Sequence, residues 1–496
     1  MGRYATPDSY MKNAAMSAGL PRLSLLVIGA VVCTVLIVKP AAGLTTAGIA
    51  IALFALLYTV AATLRGRVET MILNWVMLFP LGYYFVSFPM EKSVVTFDRL
   101  LPVALLLGMA LASYESCERI PVPLRNCAVA WGIFALVAGV SVVRGWDVMR
   151  SGRYLVDSFC LPAILGWSVI RNLRVRSHLS SLHAAVSLMA IYVSAIGMAE
   201  MALGKDLLPL PGSSIVLAGS LPRPNGPFYT NDSFALIGLI AFFLLLFLGK
   251  ALGEDVPTWR RGLHVAGCAA SLAMALMPLF RSVLITLVLI LLLRILSARK
   301  ASHRIAGIAF LFLCVAGASL ISVFAPEAYE DRVRPDNFYV RLAEQLQTLQ
   351  LFRSHPILGV GLGNFTETVE GNTNYMAFYN GIHSIDSPHN NLGGILSETG
   401  LVGFAPYVAA QVFLVMAFWK VRRRDTPDAK LVWSYFICIF LCYWVNGMTL
   451  ASGYNSDLNL WFIFAISVLY KFAMTEKELS WNRVWSGEFA PAYRYV

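Results

Sequence analysis

The stretch Asp232-Ser-Phe-Ala-Leu-Ile-Gly-Leu-Ile-Ala-Phe-Phe-Leu-Leu-Leu-Phe-Leu-Gly249 decides the fold class, because its only charged residue is its first. As a helix it would rise about 27 Å, close to the roughly 30 Å hydrocarbon core of a bilayer. The whole chain has the same character: 58% of its residues are hydrophobic and 14% are charged, against about 25% charged in a soluble domain. The sequence therefore predicts an integral membrane protein built of helices.

Apolar runs of spanning length recur along the chain. We predict about 12–14 transmembrane helices in a single integral membrane domain, residues 1–496. The runs lie near residues 23–40, 44–64, 71–89, 97–114, 126–143, 154–170, 182–203, 232–249, 263–280, 282–296, 304–324, 400–419, 432–449 and 456–474. The predicted fold is all-α and polytopic, with two long loops on one side of the membrane, at residues 204–231 and 325–390.

The net charge of +11 is unevenly distributed along this topology. Roughly two thirds of the 39 lysines and arginines fall in segments on one side. Loops rich in lysine and arginine stay in the cytoplasm, so the bias predicts that both termini are cytoplasmic and both long loops lie outside. Topology thus accounts for the basic charge, and no nucleic-acid partner is needed.

The second long loop contains a helical pattern. Leu342, Leu346 and Leu349 recur at helical spacing among charged and amide residues. This spacing predicts an amphipathic helix that lies either on the membrane surface or on the helix bundle. His355-Pro356 should end the helix, because proline disfavours helix in the residue before it.

A glycine-rich turn, Gly359-Val-Gly-Leu-Gly363, follows that helix. It resembles a phosphate-binding loop only superficially, since no strand is predicted before it and no nucleotide-binding helix after it. Its glycines more simply allow a tight chain path. His355 and His383 lie in the same long loop, yet their spacing indicates no metal site, and we predict neither a metal nor a cofactor.

The border between the second loop and the next span carries the most polar motif of the chain, Ser387-Pro-His-Asn-Asn-Leu-Gly-Gly-Ile-Leu-Ser-Glu-Thr-Gly-Leu-Val-Gly403. His389 could be a general base, because neutral imidazole takes protons near neutral pH, or it could simply cap the following helix. Asn390 and Glu398 would support it. Glu398 could orient a partner or hydrogen-bond neighbouring backbone, and burial would require a partner in either case.

Two arginines lie on the same predicted outer side as His389. Arg223 precedes the span at 232–249, and Arg281 lies at the outer tip of the hairpin formed by 263–280 and 282–296. Singly, Arg281 could snorkel to the lipid headgroups and Arg223 could be an ordinary loop cation. Together they could bind a diphosphate, since the planar guanidinium grips phosphate oxygens in pairs.

These motifs resemble the O-antigen ligase and O-antigen polymerase superfamily of bacterial envelope glycosyltransferases. The strongest match is His389–Gly403, which looks like the family's histidine motif at the end of its large periplasmic loop. The segment 355–365 with Arg341 upstream, the segment 223–232, and Arg281-Ser282 also match. The resemblance covers about residues 220–420. Two positions depart from the family pattern: proline follows Arg223, and phenylalanine precedes Arg281.

The resemblance implies metal-independent transfer of an undecaprenyl-diphosphate-linked glycan on the periplasmic side of the bacterial inner membrane. His389 would deprotonate the acceptor hydroxyl, while Arg223 and Arg281 would bind the diphosphate as it leaves. Arg341 would be a further or substitute phosphate contact. The acceptor would be a glycan or the lipid A core, and the candidate protein partners are a chain-length regulator and a flippase.

Three functions remain open on the sequence alone. A lipid-linked glycan transferase could act as a polymerase for O-antigen or exopolysaccharide, or as a ligase. A polytopic transporter or flippase for envelope polysaccharide precursors is the alternative, but transporter sites tend to lie at the bilayer midplane, whereas the polar groups here gather at the outer interface. A structural or assembly subunit is the third.

Overall fold

The structure is a computed structural model that describes residues 68–85, 87–88, 95–111, 121–208, 210, 216–218, 221–253, 257–297, 300–302, 304–305, 307–309, 311–312, 326–327, 330, 336–375, 378–379, 382–383, 388–449 and 456–474. The spans predicted at 23–40 and 44–64 lie outside the described residues, as does most of the span predicted at 304–324.

Helices make up most of the described chain. The α-helices are α1 (Val68–Leu78), α2 (Gly82–Phe85), α3 (Phe97–Leu111), α4 (Val122–Val143), α5 (Val148–Leu155), α6 (Leu161–Asn172), α7 (Val175–Leu203), α8 (Asn231–Leu252), α9 (Thr258–Leu276), α10 (Arg281–Ser297), α11 (Asp336–Ser354), α12 (Phe365–Glu370), α13 (Asn391–Arg422), α14 (Pro427–Gly447) and α15 (Ser456–Ala473). Short 3-10 helices cover Phe79–Leu81 and Thr373–Tyr375, and a π-helical turn covers Val156–Cys160.

The described strands form three short antiparallel hairpins. They pair β1 (Ser87–Phe88) with β2 (Val95–Thr96), β3 (Val216–Ala218) with β4 (Leu221–Arg223), and β5 (Phe378–Tyr379) with β6 (Ile382–His383). The β3–β4 hairpin lies in the first predicted long loop and the β5–β6 hairpin in the second, whereas β1 lies at the end of the span predicted at 71–89.

Seven helical segments of the described chain are long and apolar enough to cross a membrane. They are Val122–Val143, Val148–Asn172, Val175–Leu203, Asn231–Leu252, Asn391–Arg422, Pro427–Gly447 and Ser456–Ala473. The prediction of an all-α polytopic membrane protein is therefore confirmed. The predicted spans 263–280 and 282–296 correspond to α9 and α10, which are helical but are not among the seven.

The apolar stretch that defines the fold class becomes the centre of the bundle. It lies in α8, which packs against α7, α9, α14 and α15. Of its most apolar window, 67% is buried inside the protein, whereas the figure for α4 is 28%. Because α8 is surrounded by other helices, the loops at its two ends lie at the two ends of the bundle.

Side-chain contacts show that α10 and α14 run antiparallel. Near the start of α10, Thr286 Oγ1 accepts a hydrogen bond of 3.0 Å from Asn446 Nδ2, in the last turn of α14. Near the end of α10, the Arg294 guanidinium donates to the hydroxyl of Ser434, in the first half of α14. The first residue of α10 therefore lies at the end of the bundle where α14 finishes.

The helices α13 and α14 are also antiparallel neighbours. Phe418, near the end of α13, stacks on Phe436 of α14 with ring centroids 3.8 Å apart. Tyr407 and Trp444 meet toward the other end, with centroids 6.3 Å apart. The part of α13 that follows residue 400 thus begins where α14 ends. Ile395, in the part before residue 400, belongs to the same buried cluster as Tyr407, so the start of α13 lies at this end of the bundle too, as does the start of α10.

The helix α11 covers the predicted amphipathic helix and ends at Ser354, directly before His355-Pro356. It packs against α13 and the β5–β6 hairpin. Two of the three leucines of the predicted pattern lie outside the packed face, since Leu346 and Leu349 are 37% and 41% exposed. Its buried face is instead largely polar, consisting of Ala343, Glu344, Gln347, Thr348 and Leu351. Of the two predicted placements, the structure shows α11 on the helix bundle, against α13, with these two leucines facing outward.

Candidate active site

Asn390 begins α13 and ties it to α11. Its side-chain oxygen accepts hydrogen bonds from the backbone N–H groups of Leu392 and Gly393, at 3.0 and 3.1 Å, which is a helix N-cap. Its Nδ2 donates to Gln345 Oε1 of α11 at 2.9 Å. Gly393 adds to this junction, because a Cβ there would lie 2.8 Å from the Thr348 side chain of α11. These contacts fix the backbone that carries the preceding residue, His389.

His389 lies against a buried carboxylate of α11. Its Nε2 is 3.5 Å from Glu344 Oε1, and the side chains are 22% and 1% exposed respectively. The Glu344 carboxylate also accepts hydrogen bonds from Arg341 Nη1, at 2.9 and 3.2 Å. Nδ1 of His389 is buried and has no hydrogen-bond partner among the described residues. The arrangement is a row of three titratable side chains, arginine, glutamate and histidine.

The surroundings of His389 hold its ring in the neutral form. Burial first, and then the Arg341 guanidinium, lower the pKa of His389 from its ordinary value of 6.5 to about 3. Both causes disfavour the imidazolium, the first by removing water and the second by like-charge repulsion. The ring is therefore neutral at physiological pH, which is the form that can accept a proton.

The glycine-rich turn packs against a kink in α13. The backbone N–H groups of Val360 and Gly361 donate to the carbonyls of Ser397 and Glu398, at 3.0 and 2.8 Å. In the other direction, the N–H groups of Leu401 and Val402 donate to the carbonyls of Pro356 and Ile357, at 2.9 and 3.2 Å. The kink itself is at Gly400, whose φ of 60° and ψ of −168° are not helical. Backbone hydrogen bonds thus join the turn to α13 on both sides of the kink.

Two glycines at this junction have no room for a side chain. A Cβ on Gly359 would lie 2.3 Å from the carbonyl oxygen of Glu398, and a Cβ on Gly400 would lie 2.3 Å from that of Ile357. Both residues also have positive φ, a region that glycine enters at little cost. The predicted tight chain path is therefore what the glycines of the turn provide.

Glu398 also hydrogen-bonds at the junction between the glycine-rich turn and α13. It is completely buried, and its Oε1 accepts a 3.3 Å hydrogen bond from the backbone N–H of Phe365, the first residue of α12. A carboxylate is favourable at a helix N-terminus. Of the two roles considered for Glu398, this contact favours hydrogen bonding to neighbouring backbone.

Arg223 and the residues before Arg281 are in direct contact. Arg223 is 7% exposed, its Nε donates to the carbonyl of Pro278 at 2.9 Å, and its guanidinium lies 4.3 Å from the centroid of the Phe280 ring. Arg281 is exposed and is the first residue of α10. The phenylalanine that departs from the family pattern is therefore the surface on which Arg223 stacks.

All the predicted site residues except Glu398 lie around the starts of two helices at one end of the bundle. Arg223 and Arg281 gather at the start of α10, whereas Arg341, His389 and Asn390 gather at the start of α13. Each group is held by its own contacts. The helix directions derived above place both starts at the end of the bundle where α14 finishes.

Glu344 is the residue that the sequence did not single out. It occurred only as one of the polar residues between the leucines of a predicted amphipathic helix, where an acid is ordinarily solvated. The three-residue spacing from Arg341 to Glu344 allows a surface ion pair. Glu344 and His389 are far apart in sequence, and nothing in the sequence indicates that they are in contact.

Within the described residues, no group of three or more histidine, cysteine, aspartate or glutamate side chains could hold a metal ion.

These features define a polytopic membrane protein with a polar, histidine-containing site at one end of its helix bundle. Residues 266–408 match the family model described as O-antigen ligase, and this confirms the resemblance to the O-antigen ligase and polymerase superfamily. The matched segment contains Arg281, Arg341, His389 and Glu398, while Arg223 precedes it. No curated protein matches the chain.

The match is shorter than the region of resemblance, 220–420, at both ends. It begins inside α9 and ends inside α13, so it includes the glycine-rich turn, the kink in α13 and the whole of α11. The structural elements that hold His389 therefore lie within the matched segment.

Proposed function

We propose that this protein is an inner-membrane glycosyltransferase that moves a glycan from undecaprenyl diphosphate to an acceptor hydroxyl on the periplasmic side. The observation that carries the proposal is a neutral, partly buried His389 at the same bundle end as Arg223 and Arg281. The match to the O-antigen ligase family supports the reaction class.

The proposed reaction is a displacement at the anomeric carbon of the lipid-linked glycan. The acceptor hydroxyl gives its proton to His389 while its oxygen bonds to the anomeric carbon. The bond from that carbon to the diphosphate oxygen breaks, and the electron pair leaves with the diphosphate. Negative charge grows on the leaving group, so the guanidinium groups of Arg223, Arg281 and Arg341 would lower the barrier where that charge forms.

The orientation follows from charge rather than from the reaction. We infer that the end of the bundle with His389 faces the periplasm and that both termini are cytoplasmic, because lysine and arginine are enriched in the segments at the other end. Labelling of single cysteines introduced at exposed positions, such as Arg353→Cys and Glu370→Cys, in intact cells tests this orientation. Labelling only after the inner membrane is permeabilised would reverse it.

The experiment that tests the activity uses the purified protein in lipid nanodiscs. It receives an undecaprenyl-diphosphate oligosaccharide alone, or together with lipid A core, and the products are separated on gels. Growth of the glycan without lipid A core identifies a polymerase, and transfer only when lipid A core is present identifies a ligase. If neither covalent product forms with any such donor, and the lipid-linked oligosaccharide instead crosses vesicle membranes, the transferase proposal fails and the transporter alternative replaces it.

A further inference from the structure

We propose that Glu344 is a positioning residue for His389: its carboxylate holds the imidazole ring and stabilises the positive charge that forms when the ring takes the acceptor proton. This inference rests on the proposed transfer reaction. It adds to that reaction an acid from a different helix.

The Glu344 side chain is almost completely buried. A carboxylate with 1% of its side chain exposed costs free energy unless charged or hydrogen-bonding partners compensate for the lost water. Arg341, three residues earlier on α11, is 42% exposed, and an ion pair at this spacing ordinarily lies on a helix surface. A pair with Arg341 alone would not require the carboxylate to be buried. The carboxylate faces inward, toward the start of α13, where His389 lies.

Residues other than Glu344 already join α11 to α13. Asn390 donates to Gln345 at 2.9 Å, and Thr348 packs closely over Gly393. Neither contact involves the carboxylate of Glu344. A merely structural link between the two helices therefore exists without an acid at position 344.

The charge that forms on His389 also points to Glu344. Burial and Arg341 both oppose protonation of the ring, and they hold its pKa at about 3. A base in such surroundings takes a proton poorly unless another group stabilises the charged form. The Glu344 carboxylate is 3.5 Å from Nε2 in the resting site, longer than an ordinary hydrogen bond. Closing this distance as the imidazolium forms would bring the opposite charge to the ring in the transition state, where it lowers the barrier.

The contact also selects the nitrogen that acts as the base. If Nε2–H faces the carboxylate, the lone pair of the neutral ring is on Nδ1. Nδ1 has no hydrogen-bond partner among the described residues. Because Nδ1 is buried in the resting site, the acceptor hydroxyl must displace the groups that cover it before its proton goes to Nδ1. The imidazolium then carries N–H on both nitrogens, and the proton passes to solvent after the diphosphate has left.

The test is the substitution Glu344→Gln, which keeps size and an acceptor oxygen but removes the charge. We expect kcat to fall by roughly 10²-fold or more, the scale of general-base catalysis, with the KM for the lipid-linked donor within about twofold. Glu344→Asp, which restores the charge on a shorter arm, should recover part of kcat. The matched control is Glu370→Gln, the same substitution at an exposed position of the same loop, which should behave as the unmodified protein.

Two further measurements separate this inference from its competitors. Gln345→Ala removes the structural link while leaving the carboxylate; if it lowers kcat as much as Glu344→Gln does, the loss reports helix attachment and the inference is overturned. If Glu344→Gln does not accumulate as folded protein, the Glu344→Asp variant is used instead. A fall in kcat at unchanged thermal stability supports the positioning role of Glu344. Any other result for this variant contradicts that role.

The failure of this inference is distinguishable from failure of the proposed function. If the unmodified protein transfers glycan, His389→Ala does not, and Glu344→Gln matches Glu370→Gln, then only the role of Glu344 is wrong. If the unmodified protein transfers no glycan to either acceptor, the proposed function is wrong and the role of Glu344 falls with it.

Discussion

The first part of α13, residues 391–399, is held differently at its two ends. At its start, side chains make the contacts: Asn390 bonds to Gln345, and His389 lies against Glu344. At its end, backbone groups make them, through four hydrogen bonds to the segment 356–361 on both sides of the kink at Gly400. One end is built from titratable and polar side chains, and the other from glycine and peptide groups.

Within this short helical segment, residues with proposed roles in proton transfer are therefore separate from residues that hold the fold. Backbone pairing at the kink depends on the absence of side chains, so substitutions there act through the fold. At the start, substitutions of His389 and Glu344 change charged or titratable groups and leave the backbone hydrogen bonds in place, whereas Asn390 also holds the backbone as the N-cap of α13. The following predictions test this separation.

The largest effect is expected at the kink. Gly400→Ala places a Cβ on the carbonyl oxygen of Ile357 and requires a backbone conformation that alanine rarely adopts; the conformational strain alone costs roughly 1–3 kcal/mol. We expect most of the folded protein to be lost, measured by size-exclusion chromatography and thermal unfolding in detergent. Gly132→Ala is the control, because a Cβ there meets nothing within 4 Å. Equal thermal stability of both variants would show that the kink is not needed.

The next effect is expected in activity without a loss of fold. His389→Ala should reduce glycan transfer by roughly 10²–10⁴-fold, the contribution of a positioned general base, while the thermal unfolding temperature changes little. Arg281→Ala should also abolish polymer or ligated glycan, since it removes an exposed cation at the start of α10. Normal product from the His389→Ala protein would exclude the general-base role.

A smaller effect is expected for Asn390, which caps the start of α13. Asn390→Ala removes the N-cap of α13 and the bond to Gln345, and loss of an N-cap costs about 1 kcal/mol. Both stability and kcat should therefore fall moderately, because the residue holds the backbone next to His389. Asn390→Asp keeps the capping oxygen and should recover most of the stability in thermal unfolding. If the aspartate variant is as unstable as the alanine variant, capping is not the role of this side chain.

The smallest effect is expected in the pH profile. The pKa of His389 is lowered to about 3, so the ring stays neutral as pH falls from about 8 to about 5, and transfer should show no inflection from His389 in that window. Arg341→Gln removes a cation that opposes protonation, which raises the pKa and moves the acid inflection to higher pH. A profile of kcat against pH for both proteins measures this. An inflection near 6.5 in the unmodified protein would contradict the burial of His389.

Much of the architecture followed from the sequence because bilayer thickness and helix geometry leave few alternatives. The long apolar runs became helices, and the prolines and glycines of 355–363 ended α11 and formed a tight turn. Charge distribution and the spacing of spans also put His389, Arg223 and Arg281 on one side of the predicted topology, and the antiparallel contacts of α10, α13 and α14 bring them to one end of the bundle.

The side-chain contacts of the candidate site could not be predicted from the sequence. They depend on which face of each helix packs against which neighbouring helix, and hydrophobic periodicity does not determine the neighbour. Leucines at helical spacing indicated the apolar face of α11, yet in a membrane protein such a face can lie outward, and Glu344 then lies inward. The stacking of Arg223 on Phe280 likewise joins two loops that are far apart in sequence. Only the folded chain brings these pairs together.

The outward leucines of α11 have a consequence for where catalysis takes place along the membrane normal. Leu346 and Leu349 are on the same helix whose opposite face holds Glu344, and that helix has 19 residues. If the leucines lie in the lipid headgroups, as the proposed function requires of a surface helix, their depth would set the depth of His389. The proposed acceptor hydroxyl would then have to be presented at the depth where a polyprenyl diphosphate emerges from the bilayer.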